Sequence, residues 1–86
     1  MQAGMSEWAR RAHHYLNTTG RFRGFKWMSE GRKYETIKEG LIEFIRENPI
    51  GGKEAEEALE WFLANKKFHE ARVFAKLMNL KIGKRK

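Results

Sequence analysis

The sequence predicts an all-α protein, a small bundle of about four helices. In four segments apolar residues recur three and four positions apart, and capping or breaking residues such as Ser6, Gly20 and Pro49 lie between the segments. Of the 86 residues, 41% are hydrophobic, enough for one modest core despite a charged fraction of 34%. We therefore expect one helical domain over residues 1–80, followed by a basic tail over residues 81–86.

The first helix is predicted to run from Ser6, its N-cap, to Leu16, and Gly20 suits the left-handed position that closes it. The apolar positions of this helix share one face: Met5, Trp8, Ala9, Ala12, Tyr15 and Leu16. His13 and His14 are neighbours and therefore point about 100° apart on a helix. We interpret both as surface residues and expect no metal site.

Residues 21–33 follow neither the helical nor the strand period. Phe22, Phe25 and Trp27 alternate with cations, and Gly24 and Gly31 are expected to interrupt any helix. We predict an irregular basic and aromatic loop between helices 1 and 2. The pattern leaves open whether the three aromatic rings fill the core or stack on bases.

The second helix is predicted from Tyr34 to Glu47, since Asn48 and Pro49 end it. Its apolar stripe comprises Tyr34, Ile37, Leu41, Ile42, Phe44 and Ile45. Its acidic side chains recur every fourth residue, as Glu35, Glu39, Glu43 and Glu47. Such a column of like charges lowers helix stability unless basic groups lie beside it, so we expect a basic neighbour.

Two further helices complete the predicted bundle. The third opens at Gly51 and Gly52 and closes at Asn65, with an apolar face of Ala55, Ala58, Leu59, Phe62 and Leu63. The fourth, about Phe68 to Leu80, follows a short turn and should bury Phe68, Ala71, Phe74, Ala75 and Met78.

Positive charge is concentrated at the two ends of the chain. Residues 1–34 carry 7 Lys/Arg and 2 Glu, residues 35–65 carry 3 and 8, and residues 66–86 carry 8 and 1, giving a net charge of +7. Cations beside aromatic rings are the side chains that bind phosphates and stack on unpaired bases. We therefore expect a nucleic-acid partner, with RNA favoured over DNA, in a ribosome- or ribonucleoprotein-associated protein. A charged surface without a particular partner is the simpler alternative.

The predicted nucleic-acid-binding residues fall into two groups. The first surrounds the loop and comprises Arg10, Arg11, Arg21, Arg23, Phe25, Lys26, Trp27, Arg32 and Lys33. The second belongs to the last helix and tail and comprises Lys66, Lys67, His69, Arg72, Lys76, Lys81, Lys84, Arg85 and Lys86. Two alternatives stay open. Helices 3 and 4 could form a DNA-binding helix-turn-helix of a transcription or chromatin protein. The column of Glu35, Glu39, Glu43 and Glu47 could instead dock a basic protein, as in an adaptor.

Several function classes are not expected from the composition. The sequence has no Cys and no Asp, which removes disulfides, thiolate metal sites and Asp-based triads. Nothing pairs a nucleophile with a base, so we expect neither catalysis nor a cofactor. No apolar run reaches membrane-spanning length and no leader is visible, so we expect a cytoplasmic protein without membrane contact. Abundant Glu, Lys and Arg with few Asn and Gln suggest a thermophilic source.

Overall fold

A computed structural model of the protein describes residues 6–80, and within that range the chain forms four α-helices and one short 3-10 helix, with no strand. The helices are α1 (Glu7–Thr18), α2 (Glu30–Glu47), α3 (Gly52–Ala64) and α4 (Phe68–Met78), and the 3-10 helix is Phe25–Trp27. The predicted all-α bundle is confirmed. The predicted basic tail, residues 81–86, lies outside the described residues, as does Met5.

The four helices pack around one core. Helices α1 and α4 occupy opposite corners of the bundle, because each of them packs against both α2 and α3. All buried apolar residues belong to one cluster: Ala9, Ala12, Leu16, Ile37, Leu41, Phe44, Ala55, Ala58, Leu59, Phe62, Ala71, Val73, Phe74 and Ala75. The predicted apolar faces of α1, α2 and α3 supply all the residues that these helices bury except Gly40. Six members of the predicted faces are only half-buried: Trp8, Tyr15, Tyr34, Ile42, Ile45 and Leu63. No helix among residues 6–80 is both long and apolar enough to cross a membrane.

The N-cap predicted for α1 is present. The Ser6 hydroxyl accepts a hydrogen bond from the Ala9 backbone N–H at 3.1 Å. The helix continues to Thr18, two residues past the predicted end, and Gly20 then takes a left-handed φ of 79° as expected.

Helix α2 begins at Glu30, four residues before the predicted start at Tyr34. Ser29 is its N-cap, because its hydroxyl accepts from the Arg32 backbone N–H at 3.2 Å. Gly31 therefore lies in the first turn of the helix and does not interrupt it. A glycine there costs about 1 kcal/mol relative to alanine, which a good cap and the packed turns beyond it offset.

Gly40 allows α1 and α2 to approach closely. A Cβ placed on it would clash with the Leu16 side chain and would lie 2.6 Å from the Arg21 Cδ. Any larger residue at this position would force the Leu16 and Arg21 side chains to shift, so glycine permits the close approach of α2 to the end of α1.

The buried side of α4 differs from the prediction. Ala71, Phe74 and Ala75 are buried as expected, but Phe68 is 56% exposed. Val73 and Glu70, which the sequence did not indicate, are buried. Phe68 is the first residue of α4 and follows the turn at Lys66, which takes a left-handed φ of 60°. The buried face of α4 extends beyond the predicted stripe to Glu70 and Val73, which are neighbours at three-residue spacing.

Candidate nucleic-acid interface

The segment between α1 and α2 is a chain of tight turns that the core holds in place. Backbone N–H groups of Arg23, Phe25 and Met28 donate to carbonyls three residues earlier, at 3.0 to 3.1 Å. Gly24 takes a left-handed φ of 67°, which permits the entry into the 3-10 helix. The rings of Phe22 and Phe25 meet edge to face at 5.4 Å and pack, half-buried, against the core. The loop is therefore irregular but anchored.

Trp27 is the exposed aromatic residue of this loop. Its side chain is 82% exposed, and the Lys26 ammonium lies 5.5 Å from the centre of its ring. The structure thus divides the three aromatic residues: Phe22 and Phe25 are structural, and Trp27 presents its ring to solvent. An exposed indole beside a cation offers a stacking surface next to a phosphate-binding group.

The loop and the beginning of α4 form one surface. Phe25 meets the His69 ring edge to face at 5.2 Å, and the Lys33 ammonium lies 5.5 Å from the centre of the Phe25 ring. Lys33, His69 and Arg72 line the same small cleft, in which Glu30 supplies the one carboxylate. Lys26 and Trp27 follow Phe25 in the same 3-10 helix. We call these two residues, together with Lys33, His69 and Arg72 of the cleft, the loop–α4 surface. Residues that the sequence assigned to two separate groups are therefore brought together here.

The remaining predicted loop cations differ in their availability. Arg23 and Arg32 are exposed. Arg21 is engaged within the protein, because its guanidinium donates to Glu43 and to the Thr19 hydroxyl, each at 2.9 Å. Binding of a phosphate by Arg21 would require these bonds to break.

The contact of Arg21 with Glu43 is the basic neighbour expected beside the acidic column. It involves Glu43 alone, and Glu35, Glu39 and Glu47 are exposed. Glu43 also accepts a hydrogen bond from the Tyr15 hydroxyl at 2.9 Å. This hydrogen bond, with some burial and the negative charge of Glu43, raises the pKa of Tyr15 above its usual 10.0. Glu43 is therefore the member of the acidic column that contacts α1, through Tyr15, and the loop, through Arg21.

Arg10 and Arg11 lie away from the loop–α4 surface, on a groove between α1 and α2 with a volume of about 260 Å³. The groove is lined by Arg10, Arg11, His14, Tyr15, Thr18 and Phe44. Arg10 pairs with Glu7. Arg11 donates to the Asn48 side-chain oxygen at 3.4 Å, and its guanidinium lies 5.9 Å from the centre of the Phe44 ring. We call this site the α1 groove.

The other predicted binding residues do not join either site in the described contacts. Lys66 lies in the turn before α4 and Lys76 on its outer side, both exposed, and Lys67 is half-buried. Lys81, Lys84, Arg85 and Lys86 lie outside the described residues.

Both histidines were predicted to be surface residues; His14 is exposed, whereas the His13 side chain is half-buried, at 25% exposure. The His13 ring contacts Phe22 at 5.5 Å and Trp61 at 6.5 Å between ring centres, and its Nδ1 contacts the Glu70 carboxylate. That carboxylate is only 5% exposed. The sequence does not indicate this pair, because its members are 57 residues apart. Among residues 6–80, no three His or Glu side chains cluster as a metal site would require.

No known protein family, curated protein or solved structure matches this chain.

Proposed function

We propose that the protein binds RNA through the loop–α4 surface, recognising structure or unpaired bases more than sequence. The observation that supports this most directly is Trp27, an 82% exposed ring beside Lys26 on a loop that is anchored to the core. A large exposed aromatic ring beside a cation offers apolar area and a π-face that a ligand can cover. Unpaired bases are partners that stack on such rings.

The charges around Trp27 favour a polyanion. Lys26 lies beside Trp27, Lys33 and Arg72 line the cleft next to Phe25 and His69, and Arg23 and Arg32 are exposed on adjoining segments. Glu30 offsets part of this charge, since its carboxylate lies 3.8 Å from the Lys33 ammonium. The surface keeps a positive excess, which attracts phosphates and makes binding sensitive to salt.

RNA is preferred to DNA because of the way α4 begins. A helix-turn-helix reader places the first residues of its second helix in a major groove. Here His69, in the first turn of α4, packs against Phe25. Entry of α4 into a DNA major groove would have to preserve this contact with the loop. A stacking ring next to the helix suits unpaired bases better than paired ones.

The test is a titration with single-stranded RNA and with duplex DNA at several salt concentrations. We expect Trp27→Ala to weaken RNA binding by about 1–3 kcal/mol while stability stays within about 0.5 kcal/mol of wild type, and Trp27→Phe to retain most of the binding. Arg23→Ala should reduce the salt slope by about one unit, whereas Arg46→Ala, an exposed arginine on α2 outside the proposed surface, should not.

Affinity that does not change with salt would overturn the proposal. Preference for duplex DNA would favour the helix-turn-helix alternative. Capture of one basic protein, lost when Glu35, Glu39 and Glu47 are changed to Gln, would favour the adaptor.

A further inference from the structure

The α1 groove is a second place where cations and aromatic rings meet, and it is separate from the loop–α4 surface. Phe44 lines the groove, and Lys33 belongs to the loop–α4 surface. These two residues are eleven positions apart on α2, which corresponds to about 16 Å along the helix axis. The two sites therefore contact different parts of a ligand, or different ligands.

The wall of the groove that α1 supplies is basic. Arg11, His14 and Thr18 follow one another at three- and four-residue spacing, so they share one face of α1, and all three are exposed. Arg10 adds a cation, but Glu7 already pairs with it. Arg11 has no carboxylate partner among residues 6–80, and only the neutral Asn48 side chain accepts from it. Its positive charge is therefore available to an anion.

The floor of the groove is aromatic. The rings of Tyr15 and Phe44 lie 5.5 Å apart between centres, and the Arg11 guanidinium lies over Phe44. Phe44 is only 6% exposed, so the flat surface that a ligand meets is formed by the half-buried Tyr15 ring and the guanidinium plane of Arg11. Both groups stack on planar aromatic ligands.

A carboxylate of α2 lies beside the groove, next to the hydroxyl of the Tyr15 ring that lines it, and gives the site a polarity. Glu43 accepts hydrogen bonds from the Tyr15 hydroxyl and from Arg21, and both end on its Oε1. Its Oε2 accepts no hydrogen bond from the part of the chain that the structure describes. A ligand with an anionic end and an aromatic end that carries N–H donors matches this arrangement.

We propose that the α1 groove binds a single nucleotide unit, with the phosphate at Arg11 and His14 and the base against Tyr15. The identification of the ligand as a nucleotide rests on the proposed function. The volume of about 260 Å³ lies near the lower limit of small-ligand sites, which suits one nucleotide and not a longer segment. Acidic groups on the α2 side favour bases with an exocyclic amino group over uracil.

The experiment is an amide-shift NMR titration of the full chain with AMP, UMP, adenosine and inorganic phosphate. We expect AMP to shift signals of α1 and the C-terminal half of α2, and to bind about tenfold more tightly than adenosine or phosphate alone. Arg11→Gln should weaken AMP binding about tenfold, and the matched control Arg46→Gln should leave it unchanged. UMP should bind more weakly than AMP.

The possible failures are distinguishable. Shifts confined to Trp27 and Lys33 would overturn the α1 groove and leave RNA binding at the loop–α4 surface intact. Phosphate that binds as tightly as AMP, or an Arg11→Gln variant with wild-type AMP affinity, would overturn the nucleotide assignment. AMP binding in the groove of a protein that binds no RNA would overturn the proposed function alone.

Discussion

The His13 imidazole on α1 contacts the Glu70 carboxylate on α4, across the diagonal of the bundle. Glu70 is the one charged residue that is buried among residues 6–80, and in this range His13 is its side-chain partner. A buried carboxylate without a partner costs far more free energy than the pair gains.

We therefore expect the loss of His13 alone to destabilise the protein more than the replacement of both residues. His13→Leu leaves the Glu70 carboxylate buried and unpaired and should lower the free energy of unfolding by about 3–5 kcal/mol. Adding Glu70→Met should restore much of that loss, because the double variant buries no charge. Denaturant unfolding of the three proteins measures the effect. A double variant less stable than His13→Leu would contradict this account.

Buried and exposed phenylalanines should differ in their contribution to the free energy of unfolding. Phe44→Ala and Phe74→Ala should each lower the free energy of unfolding by about 3–5 kcal/mol, because both rings are buried in a small core. Phe68→Ala removes the same group from a 56% exposed site and should change stability by about 0.5 kcal/mol or less. Thermal melting of the three variants compares them directly, and equal losses would show that the face of α4 is wrongly assigned.

Two glycines of α2 should respond in opposite directions to alanine. Gly40→Ala introduces a Cβ into the Leu16 side chain and beside Arg21, and should cost about 1–3 kcal/mol. At Gly31 a Cβ would meet nothing within 4 Å. Gly31→Ala should therefore stabilise the protein by about 0.5–1 kcal/mol through a less flexible unfolded chain. Chemical denaturation of both variants provides the measurement, and destabilisation by Gly31→Ala would argue against the observed start of α2.

Tyr15 should lose its proton at a higher pH in the folded protein than in the unfolded chain. The hydrogen bond to Glu43 raises the pKa of Tyr15 above 10.0, so the folded protein holds this proton to a higher pH than the unfolded chain does. The stability that Tyr15 contributes is therefore fully present below pH 10.0 and is lost as the pH rises through the higher folded-state value. Tyrosinate absorbance of wild type and Tyr15→Phe identifies the late-titrating group. Glu43→Gln should move it earlier, and an unchanged titration curve in that variant would count against the hydrogen bond as the cause.

The sequence predicts elements with strong periodicity well and misses features that depend on long-range neighbours. The faces of α1 to α3 follow from apolar spacing, since each buries a single stripe. The predicted start of α2 is four residues late, because a glycine such as Gly31 usually breaks a helix, whereas the Ser29 cap begins the helix before it. Burial of Glu70 could not be predicted, because its partner His13 lies on another helix.

The candidate site likewise combines features that the sequence predicts with features that only the contacts reveal. The sequence indicates which residues could bind phosphates, but not that Arg21 is engaged by Glu43 or that His69 meets Phe25. It left the roles of Phe22, Phe25 and Trp27 open, because alternating rings and cations fit both core packing and stacking. Contacts between distant segments decide these roles.

The anchoring of the loop on the core has a consequence for the thermodynamics of any ligand that uses Trp27. Because Phe22 and Phe25 already hold the turn, the entropy of ordering it is lost during folding and not during association. Such pre-organisation links the folding equilibrium of the protein to its binding equilibrium. A change at Phe25, which loosens the turn, lowers affinity even when every contacting side chain is intact, and a bound ligand in turn raises the melting temperature.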